Sequence, residues 1–250
     1  MGIEQLTVDY VRHSGDDLSV VNAARVSFES ESEALGYTGI DDKPMVPVIH
    51  DRDRKLIKYL ADHEHFSPFN HAFVTFRCTA PLFVMGQLKK HEYMPWNEIS
   101  RRYVDTDPEF YVPDEWRGSP TNSKQGSSTE IITELEDNYF GEYDSFNQDT
   151  YCPHKSLEGH HDESLAYYNL LIRNEVAPEM ARMVLPQSML SSWIWSGSIK
   201  AVSKMCNLRC ASDTQYESRV VANKISDIMK ELYPVSWDAL MDQDSGTVGK

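Results

Sequence analysis

Cysteine is scarce in this 250-residue chain, and no apolar run approaches the roughly 18 residues that a membrane-spanning helix needs. The four cysteines, at positions 78, 152, 206 and 210, are too few and too unevenly spaced for a disulfide framework. Neither GxGxxG nor GxxxxGK[ST] occurs, so a Rossmann or P-loop phosphate site has no support. The opening residues show no basic stretch before an apolar one, and Leu6 stands where a myristoylation signal has Ser or Thr. Positive charge is also short: 24 Lys and Arg face 39 Asp and Glu, a net charge of −15. That balance argues against a nucleic-acid coat or an anionic-membrane binder, because general attraction to phosphate is missing. Any anion must be held by a local cluster. The expectation is a cytoplasmic protein in a reducing compartment, with no nucleic-acid polymer and no membrane as partner.

What is present suffices for a core. Hydrophobic residues make up 40%, with 5 Trp, 13 Tyr and 9 Phe. The spacing of Leu56, Ile57 and Leu60 predicts a helix over 51–63. Strict alternation predicts a strand over 70–79, with Ala72, Val74, Phe76 and Cys78 on one face. Thr79 then caps a helix that runs past Pro81 to about Tyr93, with Gln87, Lys90 and His91 sharing a side. Residues 97–105 read as extended, which puts Glu98, Ser100 and Arg102 on one side and Arg101 on the other. Residues 104–128, rich in Asp, Pro, Gly and Ser, read as a surface excursion. Further helices are expected at about 128–139, 162–176 and 179–185, and a strand at 188–195. Ser196 would cap a helix to Leu208, and Ser212 with Gln215 would open one to Leu232, stopped by Pro234. Helices outnumber strands without regular alternation, so the fold class is α+β: one domain over 1–240, an antiparallel sheet packed by helices, and a flexible tail at 241–250.

The strongest local signal is Gln87 to Tyr103, QLKKHEYMPWNEISRRY, where Lys89, Lys90, Arg101 and Arg102 fall within fourteen residues of an acidic chain. Arginine gives a fork of donors, lysine a point charge and serine a hydroxyl, so the segment is a candidate anion clamp. On composition alone, a solvated face with surface ion pairs is the better reading. Arg182 and Arg209 are further candidates for the same anion. The histidines at 63, 65 and 71 match no metal-ligand spacing, and no metal is expected. Cys152, the cysteine with a histidine two residues away, has nothing to activate its thiol.

These residues, taken in order, resemble the flavin-dependent thymidylate synthases. The segment VDYVRHSGDDLSVVNAARVSF (Val8–Phe28) is similar to the family's start, and HFSPFNH (His65–His71) to its entry into the central strand and helix. His91 to Tyr103 aligns without gaps on the signature RHR-x7-S, and ARMVLP (Ala181–Pro186), then NLR with Gln215 and Glu217, complete the order. The resemblance implies a homotetramer with shared active sites. It also implies transfer of a one-carbon unit from methylenetetrahydrofolate to C5 of dUMP, with FAD reduced by NADPH giving the hydride. It assigns Arg209 to the pyrimidine anion, and Gln87, Lys90, Glu98, Ser100, Arg101, Arg102 and Arg182 to the nucleotide. Ser100 is a candidate for a covalent role as well as for a hydrogen bond. It assigns Ser67, Lys90, His91, Glu92, Glu98, Ser198, Ile199, Lys200 and Lys204 to FAD, and His65 to the folate side. The family's Arg-His-Arg is Lys90-His91-Glu92 here, which loses one fork and reverses one charge, while Arg101 replaces a usual Gly. A hydroxymethyl-forming sister reaction and a non-catalytic nucleotide binder are the competing readings.

Overall fold

Alternation along one central strand organises the molecule, described by a computed structural model over residues 2–39, 44–104, 106–121, 126–134 and 153–241. Strand β4 (Phe73–Pro81) buries Val74, Phe76, Cys78 and Ala80 on one side. It pairs with β1 (Thr7–Ser14) and β6 (Leu190–Ser198), and β6 also pairs with the short β5 (Trp96–Glu98). The sheet is antiparallel, in the order β1-β4-β6-β5. Phe76 faces Trp195 and Cys78 faces Trp193 across β4 and β6, and Trp96 stacks on Trp193 with ring centroids 4.4 Å apart. On the opposite face, hydroxyl pairs Thr75–Ser196 (2.9 Å) and Thr79–Ser192 (2.7 Å) satisfy groups that the apolar side has no room for. Gly197 lets the sheet meet what lies on it: a Cβ there would sit 3.1 Å from Met94 Cγ and 3.2 Å from Val202 Cγ2.

Helices complete the core. In chain order they are α1 (Asp17–Arg25), α2 (Asp51–Asp62), α3 (Leu82–Leu88), α4 (Pro153–Arg173), α5 (Pro178–Ala181), α6 (Ile199–Arg209), α7 (Tyr216–Leu232) and α8 (Pro234–Met241). A two-stranded ribbon of β2 (Gly36–Thr38) and β3 (Val46–Val48) lies between α1 and α2 in sequence. One continuous cluster of buried side chains runs from Leu6 to Leu240. The α+β expectation with an antiparallel sheet therefore holds.

Several local expectations do not. Helix α3 stops at Leu88 instead of Tyr93, and Tyr93 takes a left-handed φ of 61° as the chain turns back into β5. Thr79 lies in β4, and the extended Pro81 precedes α3 without a side-chain cap. The extended stretch ends at Glu98, and Ser100–Tyr103 form a turn closed by Tyr103 N–H donating to Ser100 O at 3.0 Å. Ser198, not Ser196, caps α6 by accepting from Ala201 N at 3.2 Å. Gln215 is the N-cap residue of α7, but its side chain makes no capping bond, so no capping box forms there. Helix α4 begins at Pro153, well before 162.

The expected helix over 128–139 is absent where the structure describes it. Residues 128–132 return antiparallel to 116–118 through Gly118 N to Glu130 O (2.8 Å), Ser128 N to Gly118 O (2.9 Å) and Ile132 N to Trp116 O (2.7 Å). Positions 135–139, Cys152 and the tail beyond Met241 lie outside the described residues. The surface excursion is also a poor description, because Tyr111 is 3% exposed. Asp114 accepts from the Gly2 and Ile3 amides at 2.8 and 2.9 Å, Gln5 Nε2 donates to Phe110 O at 3.1 Å, and Tyr111 N donates to Ser188 O at 2.8 Å.

Pro234 does end α7, but it also opens α8. The cap comes from far away in sequence: the fully buried Asp17 accepts from Val235 N at 2.9 Å and Ser236 N at 2.8 Å. Replacing it by Ala orphans two buried amides at a helix start. Asp17→Ala is expected to lower unfolding free energy by about 2 kcal/mol. Urea midpoints at constant m-value check it, and a loss below about 0.5 kcal/mol contradicts the capping account.

Candidate active site

Two helix ends converge on an open cleft of 940 Å³. Helix α3 brings Gln87, with Lys90 just past its end, and α6 ends on Arg209. Opposite them, Asp213, Gln215 and Glu217 lead into α7, and Tyr111 comes from the stretch paired with Ser188. Trp116 and Arg117 come from residues 116–118, which pair with 128–132 as a β-ribbon called the hairpin below.

Arg209 is pinned from two sides. Its Nε donates to His91 Nε2 at 3.0 Å and its Nη2 donates to the Gln87 carbonyl at 3.2 Å. Accepting that bond requires His91 to carry its proton on Nδ1. Burial, then the nearby charges of Arg209 and Lys204, push the His91 pKa down to about 4, so the ring is neutral at ordinary pH. The Gln87 amide is held as firmly. It donates to Gln215 Oε1 and accepts from Ser218 Oγ at 3.3 Å.

Glu98 sits apart, at the sheet edge. It accepts from Lys89 Nζ at 2.9 Å and Trp96 Nε1 at 2.8 Å. Burial pushes its carboxyl up, but those two bonds and the charges of Lys89 and Arg182 outweigh it and hold it below the ordinary range. Ser100 Oγ accepts from Arg102 N and Nε at 3.4 Å, and the Arg102 guanidinium lies 5.0 Å from the Tyr103 ring centre. Arg101 donates to Thr106 O, and Arg182 is exposed with its Nε on Glu179 O at 3.4 Å. None of Glu98, Ser100, Arg101, Arg102 and Arg182 lines the cleft that holds Gln87, Lys90 and Arg209.

A third group gathers at the start of α6. Ser198 Oγ donates to Asn70 Oδ1 at 2.7 Å, and Lys200 Nζ sits 3.3 Å from the Phe66 ring centre. Ser67 and His65 are exposed on either side of Phe66, and His65 meets the Tyr59 ring edge-on at 6.2 Å. Ile199 is fully buried and its N–H donates to Ala72 O, so it belongs to the core. Glu92 and Lys204 are exposed. Lysines at 200 and 204 on α6 and the Ser67 hydroxyl near Phe66 are donor types suited to a dinucleotide's phosphates, so this chemistry fits a flavin adenine dinucleotide.

Sequence reasoning missed the hairpin's share of the cleft and the clamp on Gln87. The signal for the clamp was the spacing of Gln215, Glu217 and Ser218 on one helical turn. No comparable signal marked Tyr111 or Arg117, which lie in a polar segment without periodicity.

Comparison with known proteins bears on all of this. Residues 8–235 match the Thy1 family model, described as thymidylate synthase complementing protein. A protein of Kosmotoga olearia named flavin-dependent thymidylate synthase is 32% identical over 240 residues, covering 96% of this chain and 92% of its own length. One from Thermus thermophilus with the same name is 31% identical over 93% of this chain and 74% of its own length. Among solved structures, a UMP/dUMP methylase, PolB from Streptomyces cacaoi bound with 5-Br dUMP, is similar with a TM-score of 0.68 and 28% identity, covering 95% of both chains. With a cleft lined by Gln87, Lys90 and Arg209 and a family match across residues 8–235, the chain belongs to the Thy1 family of enzymes.

Proposed function

We propose that this chain makes thymidylate from dUMP, taking the carbon from 5,10-methylenetetrahydrofolate and releasing tetrahydrofolate. The observation that carries the reading is Arg209 held between His91 and the Gln87 carbonyl on an open cleft, in a chain of this family. A reduced FAD, recharged by NADPH, would supply the hydride when bound, held by Lys90, Lys200, Lys204 and Ser67.

The chain's own residues have a simpler task. Attack from C5 needs an electron-rich pyrimidine, and loss of the N3 proton provides it. A fixed cation beside N3 and O2 stabilises that anion without reorganising. Arg209 suits this role because Nε and Nη2 already have partners, which leaves Nη1 for the ligand. The neutral His91 keeps it there as an acceptor. Glu98, Ser100, Arg101, Arg102 and Arg182 reach a nucleotide by facing the cleft of a neighbouring copy, in a homotetramer with shared sites. Large exposed apolar side chains support such assembly: Phe28 is 80% exposed, Tyr103 75% and Met183 73%.

Purified protein is expected to bind FAD and to convert dUMP with methylenetetrahydrofolate and NADPH, with mass analysis identifying a methyl product. A product one oxygen heavier would replace the reading with hydroxymethylation; nucleotide binding without any product under reduced-flavin conditions would reject catalysis. Assaying UMP beside dUMP tests the sugar.

Arg209→Ala should cut turnover about 10²-fold or more, with a much smaller change in the urea midpoint. Turnover within threefold of the parent would remove the arginine from the chemistry.

The pH dependence follows from His91. Its ordinary value is 6.5 and its folded value about 4. Between those values the unfolded chain binds a proton that the folded chain does not, so stability falls on acidification through this window. Below about 4 the ring protonates in the folded state too, becomes a donor and releases Arg209. His91→Gln keeps an acceptor and removes this titration. The expected result is a flatter stability profile between pH 6.5 and 4, and an unchanged slope contradicts it.

A further inference from the structure

The hairpin formed by residues 116–118 and 128–132 meets the start of α7 through a buried ion pair. Arg117 Nη2 donates to Glu217 Oε1, and the Tyr111 hydroxyl donates to the same oxygen at 3.4 Å. Glu217 is 3% exposed, so its charge depends on these donors. The guanidinium is fixed on its other sides as well. Its Nε donates to Ser127 Oγ at 3.0 Å, and its plane lies 4.5 Å from the Tyr216 ring centre. The hairpin's return leg is seated against the same place. Gly126, at φ 78°, approaches so closely that a Cβ would lie 3.2 Å from Asp213 O.

Glu217 is two residues from Gln215, whose side chain accepts from Gln87. Gln87 in turn gives its carbonyl to Arg209, which bonds His91. A continuous line of contacts thus runs from the hairpin to the cation of the cleft. We propose that Arg117 is a positioning residue for the nucleotide site: by holding Glu217 it fixes the first turn of α7, and through Gln215 it fixes Gln87 and Arg209. This rests on the nucleotide reading above for its consequence, but not for its mechanics. Without Arg117, the buried carboxylate keeps the neutral Tyr111 hydroxyl as its one side-chain donor among the described residues, and must move toward water or take a proton. Either change shifts residues 215–217 against α3. A lysine would keep the charge but lose the fork that engages Ser127 and Glu217 together.

Two measurements separate the mechanics from the consequence. The first is amide hydrogen exchange on ligand-free wild type, Arg117→Gln and Arg117→Lys. Exchange over 213–219 is expected to rise about tenfold in Arg117→Gln, with Ile225–Met229 unchanged, and by less in Arg117→Lys. The second is calorimetric titration with dUMP. Arg117→Gln should weaken binding about tenfold, Arg117→Lys should recover most of it, and Arg117→Gln/Gln215→Ala should be no weaker than the worse single variant. Unchanged exchange over 213–219, or losses that multiply in the double variant, would overturn the proposal. A merely structural arginine would lower the melting temperature and leave affinity within twofold, which also overturns it. If Arg117→Gln does not fold, Arg117→Lys decides by the same two readouts. A wild type that does not bind dUMP rejects the nucleotide reading, and the exchange result then decides the positioning claim alone.

Discussion

Everything at the cleft depends on one guanidinium that satisfies a helix end while lining the open space. The last carbonyls of any helix lack partners within it. Helix α3 solves part of this by giving the Gln87 carbonyl to Arg209, the last residue of α6. A cation at the end of α6 is also favoured by that helix's own dipole. The arginine therefore needs no ligand to be ordered. The arrangement works only because His91 is neutral, since a protonated ring would present a donor to a donor. Burial and two neighbouring cations secure that neutrality by making a third charge unfavourable.

The same helix divides the site. Ser198, Lys200 and their neighbours stand at the start of α6 and Arg209 at its end, which over eleven residues is about 16 Å. A single small anion cannot touch both. On the proposed function, a long dinucleotide would approach the Ser198 end while a mononucleotide meets Arg209 at the other, with Lys90 and His91 lying near the second. The turn at Ser100–Tyr103 is a different matter. Its side chains bond to one another and to Thr106, and none of them lines the cleft of their own chain, whose arginines are Arg209 and the Glu217-paired Arg117.

How much was legible depended on where each element finds its partners. Strand β4 carries its alternation in its own residues, and α2 its apolar spacing, so both were readable. Strand β1 was not, because its exposed middle, with Val11 at an irregularity in the pairing, shows no clean period. Helix α8 follows a proline, and its cap, Asp17, lies more than 200 residues away; no local window contains both. The pattern Ile131, Ile132, Leu135 mimics a helical stripe, yet residues 128–132 pair with 116–118 instead. Two serines near the start of α6 were equivalent on paper. Ser196 is drawn to Thr75 across the sheet, which leaves Ser198 to cap. The site residues Gln87, Lys90, His91 and Arg209 were readable through motif order. Their grouping was not, because it is set by which helix ends meet.

The overall charge of −15 makes the local arrangement necessary rather than decorative. A dianionic nucleotide approaching this surface meets a repelling field, though one screened beyond about 8 Å at physiological ionic strength. Within that distance the cleft itself is mixed: Lys90 and Arg209 face Asp213 and Glu217. An unpaired Glu217 would oppose the same anion that Arg209 attracts. Pairing it with Arg117 cancels that opposition and uses the charge to hold α7 in place. The hairpin thus lets a carboxylate remain beside the cleft cations, where its position at a helix start is favourable and, on the proposed function, its field on a bound nucleotide would not be. Attraction in this protein is consequently short-ranged, and binding should depend on the geometry of a few fixed donors far more than on electrostatic steering.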